Sequence, residues 1–498
     1  MNNIEKSKQS GIFTLPSGKE IHGEITFSGQ NTSLYLSDRE PFETHNISGR
    51  CIRGVLNDLT NISLINCVAG PEPGYIKRGS EQSYFTKILP HFVVYGNHHI
   101  VPEDSNITHV QFVIDDSNVI FYDFDVFGSV TDPEKYIEQI VRENQTKREV
   151  PIGPRPLILY FTGKHEIFES ATVLGRVSAA HYPSYAMPKP DGICLKNTIF
   201  IDLNFSDSIT FDDTISRVEV LLMFFAFIAG RPQNLLQLKV SINSDTEYQP
   251  HLNVFWSNFP KRANADDEKQ PSIRDILIDA VRDPIKFSSI LKYWLDQQQN
   301  RQDSRFRFHN SFSQQKSYSI DRLIGSANMF DLFPDSATLT DLQISEEMTL
   351  ARDKSHDLFK ALPISDERNM ILGALGRIGK NTLKQKIRHR AKLISDVLAV
   401  RFPDLSIVTD EAVNCRNHYV HGGQARIDYN GNFDLVIFFT DALEFIFAAS
   451  ELIEAGWDID KWYKRHSSLT HPFDMFCFGY ARHLELLNVI LSKKGTPP

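Results

Sequence analysis

The sequence predicts an α+β, multi-domain protein in which a β-rich antiparallel domain precedes an α-helical bundle. Three observations support this prediction. At 498 residues the chain is too long for one ordinary hydrophobic core. Short alternating runs of apolar and polar residues dominate the first half, whereas longer segments with helical periodicity dominate the last third. Between them lies a polar, proline-bounded segment, Pro260 to Ser272, which predicts the main domain boundary.

The alternating runs of the first half predict half-buried strands. They are rich in β-branched and aromatic residues and are interrupted by Gly, Asn, Asp and Pro. The predicted strands are Glu24 to Phe27, Ser33 to Leu36, Ile62 to Val68, Phe92 to Tyr95, His109 to Ile114, Asn118 to Tyr122, Leu157 to Phe161, Thr198 to Leu203, Leu236 to Ile242 and Leu252 to Trp256. One helix is predicted among them, Thr214 to Ala229, because Gly230-Arg231-Pro232 is a common helix stop.

After residue 272 the hydrophobic period changes to that of helices. The predicted helices are Ile273 to Gln299, Leu383 to Phe402, Phe433 to Ala455 and Phe473 to Leu491. Asn430-Gly431 is a turn signal between two of them. We therefore expect a β-rich domain over 1–270, a helical connector over 271–340 and a helical domain over 341–498.

Composition excludes several classes of protein. The five cysteines form no CxxC pair, and the 17 histidines show no metal-ligand spacing, so we expect neither a metal nor a cofactor. The longest apolar run, Val218 to Gly230, contains Glu219 and is shorter than the roughly 20 residues that cross a bilayer. The N-terminus is polar and has no apolar signal segment. We expect a cytoplasmic protein without membrane contact.

Charge is distributed unevenly along the chain. The net charge is −9, but from residue 351 onward there are 20 Lys and Arg against 18 Asp and Glu, so the acidic excess lies in the first 350 residues. The segment Arg377 to Lys392 contains basic residues and no acid. A helix of this kind is either a solvated face or a contact for a phosphate backbone. Its candidate RNA-binding residues are Lys384, Lys386, Arg388 and Arg390.

The segment Asp410 to Gly423 (DEAVNCRNHYVHGG) stands out for its polar residues, which could carry chemistry at a helix end. Acids at its start suit a helix N-terminus, and Gly422-Gly423 ends a helix readily, which places His421 at or just past the C-terminus. Arg416 and His421 are five residues apart, about 140° around a regular helix. They can converge only if the helix ends there or if two copies of the chain meet.

The hexapeptide Arg416 to His421 (RNHYVH) resembles the R-polar-x3-H motif of the HEPN superfamily, helical domains that include many metal-independent ribonucleases. A β-rich domain before such a domain resembles the ApeA-like branch of bacterial abortive-infection proteins. The resemblance implies that the 2′-hydroxyl of the RNA attacks its own phosphate and leaves a 2′,3′-cyclic phosphate. It also implies a homodimer in which both motifs line one cleft.

The residue types fit the implied chemistry without a metal. Histidine changes its charge near neutral pH, so His421 could act as general base or acid. The planar guanidinium of Arg416 could clamp the phosphate and stabilise the charge of the transition state. Asn417 could orient the scissile group by hydrogen bonding. The resemblance further implies that the substrate is host RNA, with tRNA as one candidate, and that the N-terminal domain senses a phage-encoded trigger or restrains the nuclease.

Several alternatives remain open at this level. The domain could be a non-catalytic HEPN-fold module for RNA or protein binding and dimerisation, or the β-rich domain could bind carbohydrate or act as a scaffold. Arg416 and His421 could instead form a structural network at a helix end. Looser versions of the motif occur at Arg176 to His181 and Arg465 to His471. Cys415 is expected to be a buried apolar residue, and Tyr419 either stacks on a base or belongs to the core.

Overall fold

The structure, a computed structural model, describes residues 8–41, 49–70, 74–143, 151–189, 192–243, 250–259, 270–314, 316–334, 337, 344–422 and 425–494. Its contacts divide the chain into two units, one of Met1–Ile228 with Gln233–Lys292 and one of Ala229–Pro232 with Tyr293–Pro498. Residues 260–269 of the predicted boundary segment lie outside the described residues. The domain ranges 1–270, 271–340 and 341–498 stay a prediction.

The first unit is built on antiparallel strands, as alternating apolar and polar residues predict. Its strands are β1 (Lys8–Thr14), β2 (Glu20–Thr26), β3 (Ser33–Asp38), β4 (Ile52–Leu56), β5 (Asn61–Ala69), β6 (Gly74–Arg78), β7 (Glu81–Gly96), β8 (Ile107–Ile114), β9 (Phe127–Thr131), β10 (Leu157–Phe161), β11 (Glu166–Thr172), β12 (Gly175–Lys189), β13 (Gly192–Ile209), β14 (Leu235–Ile242) and β15 (His251–Trp256). Its helices are α1 (Ser117–Ile120), α2 (Glu134–Glu143) and α3 (Phe211–Ala229).

The long strand β7 is shared by two sheet regions. On one side, six of the described strands close on themselves in the order β7, β3, β2, β1, β4, β5, because β5 also pairs with β7. Every second residue of these strands faces the enclosed core, which contains Phe13, Ile25, Leu34 and Leu64. On the other side, the order β7, β15, β14, β8, β13, β12, β11 forms an open sheet.

One predicted strand is wrong. Asn118 to Tyr122 was expected to be extended, but residues 117–120 form the short helix α1. The amides of Val119 and Ile120 both donate to the carbonyl of Asp116 at 2.9 Å, which closes a helical turn. A short apolar run has no period of its own that separates strand from helix, so this sequence was ambiguous.

The second unit is helical, which confirms the predicted α+β fold class. Helix α4 (Pro284–Asp296) contains the boundary between the units. The helices that follow are α5 (Gln298–Phe312), α6 (Ile320–Asn328), α7 (Glu346–Lys360), α8 (Asp366–Leu375), α9 (Leu383–Leu398), α10 (Leu405–His421), α11 (Phe433–Glu454), α12 (Ile459–Tyr463) and α13 (Pro472–Lys494). Among the described residues, none of the helices combines the length and the apolar character that crossing a bilayer requires.

The predicted helix Ile273 to Gln299 is wrong in its extent. Residues 273–283 form turns, and α4 begins at Pro284, whose fixed φ suits the first position of a helix. The carboxylate of Asp283 accepts from the Lys286 amide at 3.1 Å and caps this start. The predicted starts at Leu383 and Phe433 are confirmed by α9 and α11.

Helix α11 is the centre of the second unit and is buried along most of its length. It packs against α5, α6, α9, α10 and α13. Near its end lies a buried cluster of charges around Glu451, whose carboxylate accepts from Arg301 and Arg305 of α5 and from Arg390 of α9. Burial alone would raise the pKa of Glu451, but the three arginines, Arg305 most strongly, lower it. This acceptor therefore joins three helices.

Candidate active site

Helix α10 ends where the sequence predicted. His421 is its last residue, and Gly422 follows with a φ of 69°, in the left-handed region that favours glycine. The Gly422 amide donates to the carbonyl of His418 at 2.9 Å. Gly423 lies outside the described residues. The end of the helix leaves the His421 side chain exposed.

Arg416 is the hub of the polar contacts at this helix end. Its Nε and Nη2 atoms donate to Oδ1 of Asn328, at 3.1 and 2.8 Å. Its Nη1 atom donates to Oδ1 of Asn417 at 2.9 Å and lies 3.3 Å from Nε2 of His421. The structure thus brings together all three residues predicted for catalysis, and it adds Asn328.

The contact between Arg416 and His421 forms within one chain, at the end of the helix. The sequence left open whether a helix end or a second copy would be needed, and the first suffices for this contact. A guanidinium only donates hydrogen bonds, so Nε2 of His421 accepts and the proton of the neutral ring is on Nδ1. The Nε2 lone pair therefore points toward the arginine that would hold a phosphate.

Asn328 is held by helix α6, which is fixed to the buried helix α11. Arg322 of α6 forms two hydrogen bonds with the carboxylate of Glu444, at 2.9 and 2.8 Å, and Ser326 donates to the same carboxylate at 3.0 Å. Asn328 is 88 residues from Arg416, and no periodicity or motif links the two. Sequence reasoning therefore missed it.

The site opens on a cleft of about 540 Å³. Helix α10 contributes Arg416, and the ends of α6 and of its following turn contribute Asn328, Asp331 and Leu332. The remaining wall is one face of α5, with Asp303, Phe306, Arg307 and Asn310. No residue of α5 was singled out from the sequence.

Three of the four candidate RNA-binding residues on α9 lie at least partly at the surface. Arg388 is exposed and pairs with Asp410, with Nε 2.7 Å from Oδ1. Lys384 donates to Asn414 at 2.6 Å, and Lys386 donates to the carbonyl of Asp331 at 3.2 Å. The side chains of α9 and α10 thus meet along this surface.

The fourth candidate, Arg390, needs a correction. Its side chain is 0% exposed, and it donates to Ser450 at 2.8 Å and to Glu454 at 2.6 Å, besides its contact with Glu451. Arg390 lies three residues after Ile387 and four before Ile394, on the buried face of α9. It is therefore a structural residue and is excluded from RNA contact.

The two rival motifs are arranged differently. Arg465 donates to both carboxylate oxygens of Asp474, at 3.1 and 2.7 Å, and His471 is fully buried. Arg176 lies 3.4 Å from Glu169, whereas His181 is 1% exposed and contacts Asn197. In neither motif do the arginine and the histidine present themselves together at a surface.

Cys415 lies just before the motif, and Tyr419 lies within it. Cys415 is fully buried, and burial raises the pKa of its thiol to about 12, which disfavours the nucleophilic thiolate. The Tyr419 hydroxyl donates to Asn430 at 3.2 Å, and its ring centroid lies 4.9 Å from that of His418.

Among the described residues, no group of three His, Cys, Asp or Glu side chains is placed to hold a metal ion. The expected absence of a metal stays a prediction.

Comparison with known families gives two matches. A family model described as ApeA N-terminal domain 1 matches residues 8–294, which is more than half of the chain. A second, described as Apea-like HEPN, matches residues 324–461 and includes the site. No curated protein and no solved structure gave a significant match.

Proposed function

Because the chain belongs to the ApeA family and has an ApeA-like HEPN domain, we propose that it is a metal-independent endoribonuclease, the effector of an antiphage abortive-infection response. Its substrate is host RNA, with tRNA as one candidate. The observation that carries the proposal is the contact of Arg416 with His421, 3.3 Å apart at a helix end. A phosphate clamp and a titratable base are two of the groups that transesterification of RNA uses.

In the proposed reaction the 2′-hydroxyl attacks the adjacent phosphorus. The O2′–P bond forms, the P–O5′ bond breaks, and the products are a 2′,3′-cyclic phosphate and a 5′-hydroxyl. When the phosphate takes the Nη1 donor of Arg416, the Nε2 lone pair of His421 is released from that contact and accepts the proton of the 2′-hydroxyl. A general acid then supplies a proton to the departing 5′-oxygen.

Arg416 stabilises the charge that develops on the phosphate oxygens. Asn328 fixes its Nε and Nη2 side, so the Nη1 side faces Asn417 and His421. Asn328 therefore acts as a positioning residue, since it acts through Arg416. Asn417, which accepts from the same Nη1 atom, helps to orient the guanidinium and the scissile group.

We further propose that the active form is a homodimer. Of the two histidines in the motif, His421 lies at Arg416, whereas the His418 ring packs against Tyr419 and Tyr429. Cleavage needs both a base for the 2′-hydroxyl and an acid for the 5′-oxygen. A second motif facing the first would supply the other group. Lys384, Lys386 and Arg388 would hold the RNA backbone, the N-terminal unit would respond to a phage-encoded trigger, and the reaction would take place in the cytoplasm.

The test is expression of the wild type, His421→Ala and Arg416→Ala in cells, with and without phage. Arg176→Ala, from a rival motif, serves as the control, because the Arg176 side chain is exposed. We expect wild type and Arg176→Ala to arrest growth on infection and to leave RNA fragments with cyclic-phosphate ends, and the other two to do neither. Because a regulated toxin can be silent without its trigger, the infected culture is the decisive arm.

If His421→Ala and Arg416→Ala protected infected cells as well as the wild type does, the proposed nuclease activity would be rejected. The non-catalytic HEPN module would then take its place, and binding of RNA or protein without cleavage would be the property to measure.

A further inference from the structure

Helix α5 forms one wall of the cleft next to Arg416, and its four lining residues follow a single stripe. Asp303, Phe306, Arg307 and Asn310 have the spacing i, i+3, i+4 and i+7, which is one face of a helix. The opposite face is buried, and its Arg301 and Arg305 are bound by Glu451. The stripe is therefore held rigidly.

We propose that this stripe is a nucleobase-binding subsite, which sets the base that lies next to the scissile phosphate. The inference rests on the proposed function for its substrate, an unpaired segment of RNA. The cleft volume of about 540 Å³ lies within the range of about 300–1,000 Å³ usual for small-molecule sites. Because Arg416 lines the same cleft, a base on the stripe and a phosphate on Arg416 belong to neighbouring parts of one strand.

Phe306 is the residue that a base would stack on. Its side chain is 61% exposed, although a phenylalanine is most often buried. Proteins that bind single-stranded nucleic acid use exposed aromatic rings of this kind as stacking platforms. The polar residues on both sides of Phe306 would then recognise the edge of the base and the backbone.

The polar residues of the stripe are available for a ligand. Within the described part of the chain, the side chains of Asp303, Arg307 and Asn310 have no hydrogen-bond or ion-pair partner. Arg307 can hold a phosphate, and the Asp303 carboxylate can only accept hydrogen bonds. Guanine offers two adjacent N–H donors to a carboxylate, whereas uracil places carbonyl oxygens beside its one donor. The subsite should therefore prefer guanine to uracil.

The subsite combines two parts of the chain with different relationships to the family. Arg416 lies inside the region that matches the HEPN family model, residues 324–461. Helix α5 lies at 298–312, outside that region and after the other match, which ends at 294.

The experiment measures binding of RNA to the full chain bearing His421→Ala, which prevents cleavage. The probes are a single-stranded uridine hexamer and the same hexamer with one guanosine. We expect the guanosine probe to bind more tightly, and Phe306→Ala to weaken its binding about tenfold, the size of a lost base stack. Phe306→Trp should retain the affinity, and Asp303→Asn should reduce the preference for guanosine.

Phe478→Ala is the matched control, because Phe478 of α13 is also exposed, at 76%, but does not line the cleft. Equal affinities for Phe306→Ala and Phe478→Ala, or no RNA binding at all, would overturn the subsite. The proposed function is judged separately: cleavage that needs Arg416 can persist after the subsite fails. Conversely, guanosine-selective binding through Phe306, together with equal protection of infected cells by the wild type and His421→Ala, would support the subsite and reject the nuclease.

Discussion

Asn328→Ala should slow RNA cleavage without unfolding the protein. The Oδ1 atom of Asn328 accepts two hydrogen bonds from Arg416, at 2.8 and 3.1 Å. A hydrogen bond to a charged group contributes about 1.5–3 kcal/mol. Arg416 is only half-buried and can rebind water, so we take a total loss of about 2 kcal/mol, which is less than the sum for two such bonds. If this loss falls on the transition state, the rate drops about 30-fold.

The assay is single-turnover cleavage of an RNA that the wild type cuts, together with thermal unfolding. Asn369→Ala is the matched control, since Asn369 also accepts from an arginine, Arg368, at 3.3 Å, but lies on the exposed surface of α8. We expect its rate to equal that of the wild type. The Tm of both variants should stay within about 3 °C of the wild type, because each loses only surface or half-buried hydrogen bonds.

A cleavage rate for Asn328→Ala equal to that of Asn369→Ala would refute the positioning of Arg416 by Asn328. The conclusion would be firm if Arg416→Ala were inactive in the same assay. If the Tm of Asn328→Ala fell by far more than about 3 °C, Asn328 would be a residue that stabilises the fold, and its role in positioning Arg416 would again be rejected.

Three further predictions concern charged residues of the helical unit. Glu451→Ala leaves three buried arginines without their shared acceptor, so chemical denaturation should show a free energy of unfolding that is lower by about 3–5 kcal/mol. A decrease of less than about 1 kcal/mol would contradict this prediction. Burial and Glu444 raise the pKa of Asp441 to about 7, above that of the unfolded chain. The folded state therefore binds more protons, and the stability falls as the pH rises from about 4 to 7. Asp441→Asn should lose this part of the pH dependence of stability, and identical stability profiles for the variant and the wild type would contradict the prediction. Arg388→Ala should weaken RNA binding and lower its salt dependence with an unchanged Tm, whereas Arg390→Ala should lower the Tm; the reverse pattern would show that the two faces of α9 are misassigned.

The helical elements around the site could be predicted because their signals are local. Hydrophobic period gave the starts of α9 and α11, and the glycine after His421 gave the end of α10. The proximity of Arg416, Asn417 and His421 could be predicted because they are neighbours in the sequence and share one motif. All these features depend on residues within a few turns of one another.

The rest of the site depends on contacts between distant segments. Asn328 and the stripe on α5 lie next to Arg416 only because their helices pack on α11. Their spacing in the sequence does not predict this proximity. Arg390 is different, since its misassignment was avoidable. It shares the helical face of Ile387 and Ile394, so a helical projection of α9 would have placed it inside the unit. A count of basic residues along the chain does not show which face of the helix each residue occupies.

The shared acceptor Glu451 also limits where the chain can be truncated to make a stable fragment. A fragment that begins at residue 324, the start of the matched HEPN region, would retain Glu451 and Arg390 but lose Arg301 and Arg305. Its carboxylate would then lie at the surface that α5 had covered, with two of its three cations missing. Expression of the family-defined segment alone should therefore give an aggregating product, and a recombinant fragment needs α5 to be a fair representative of the whole.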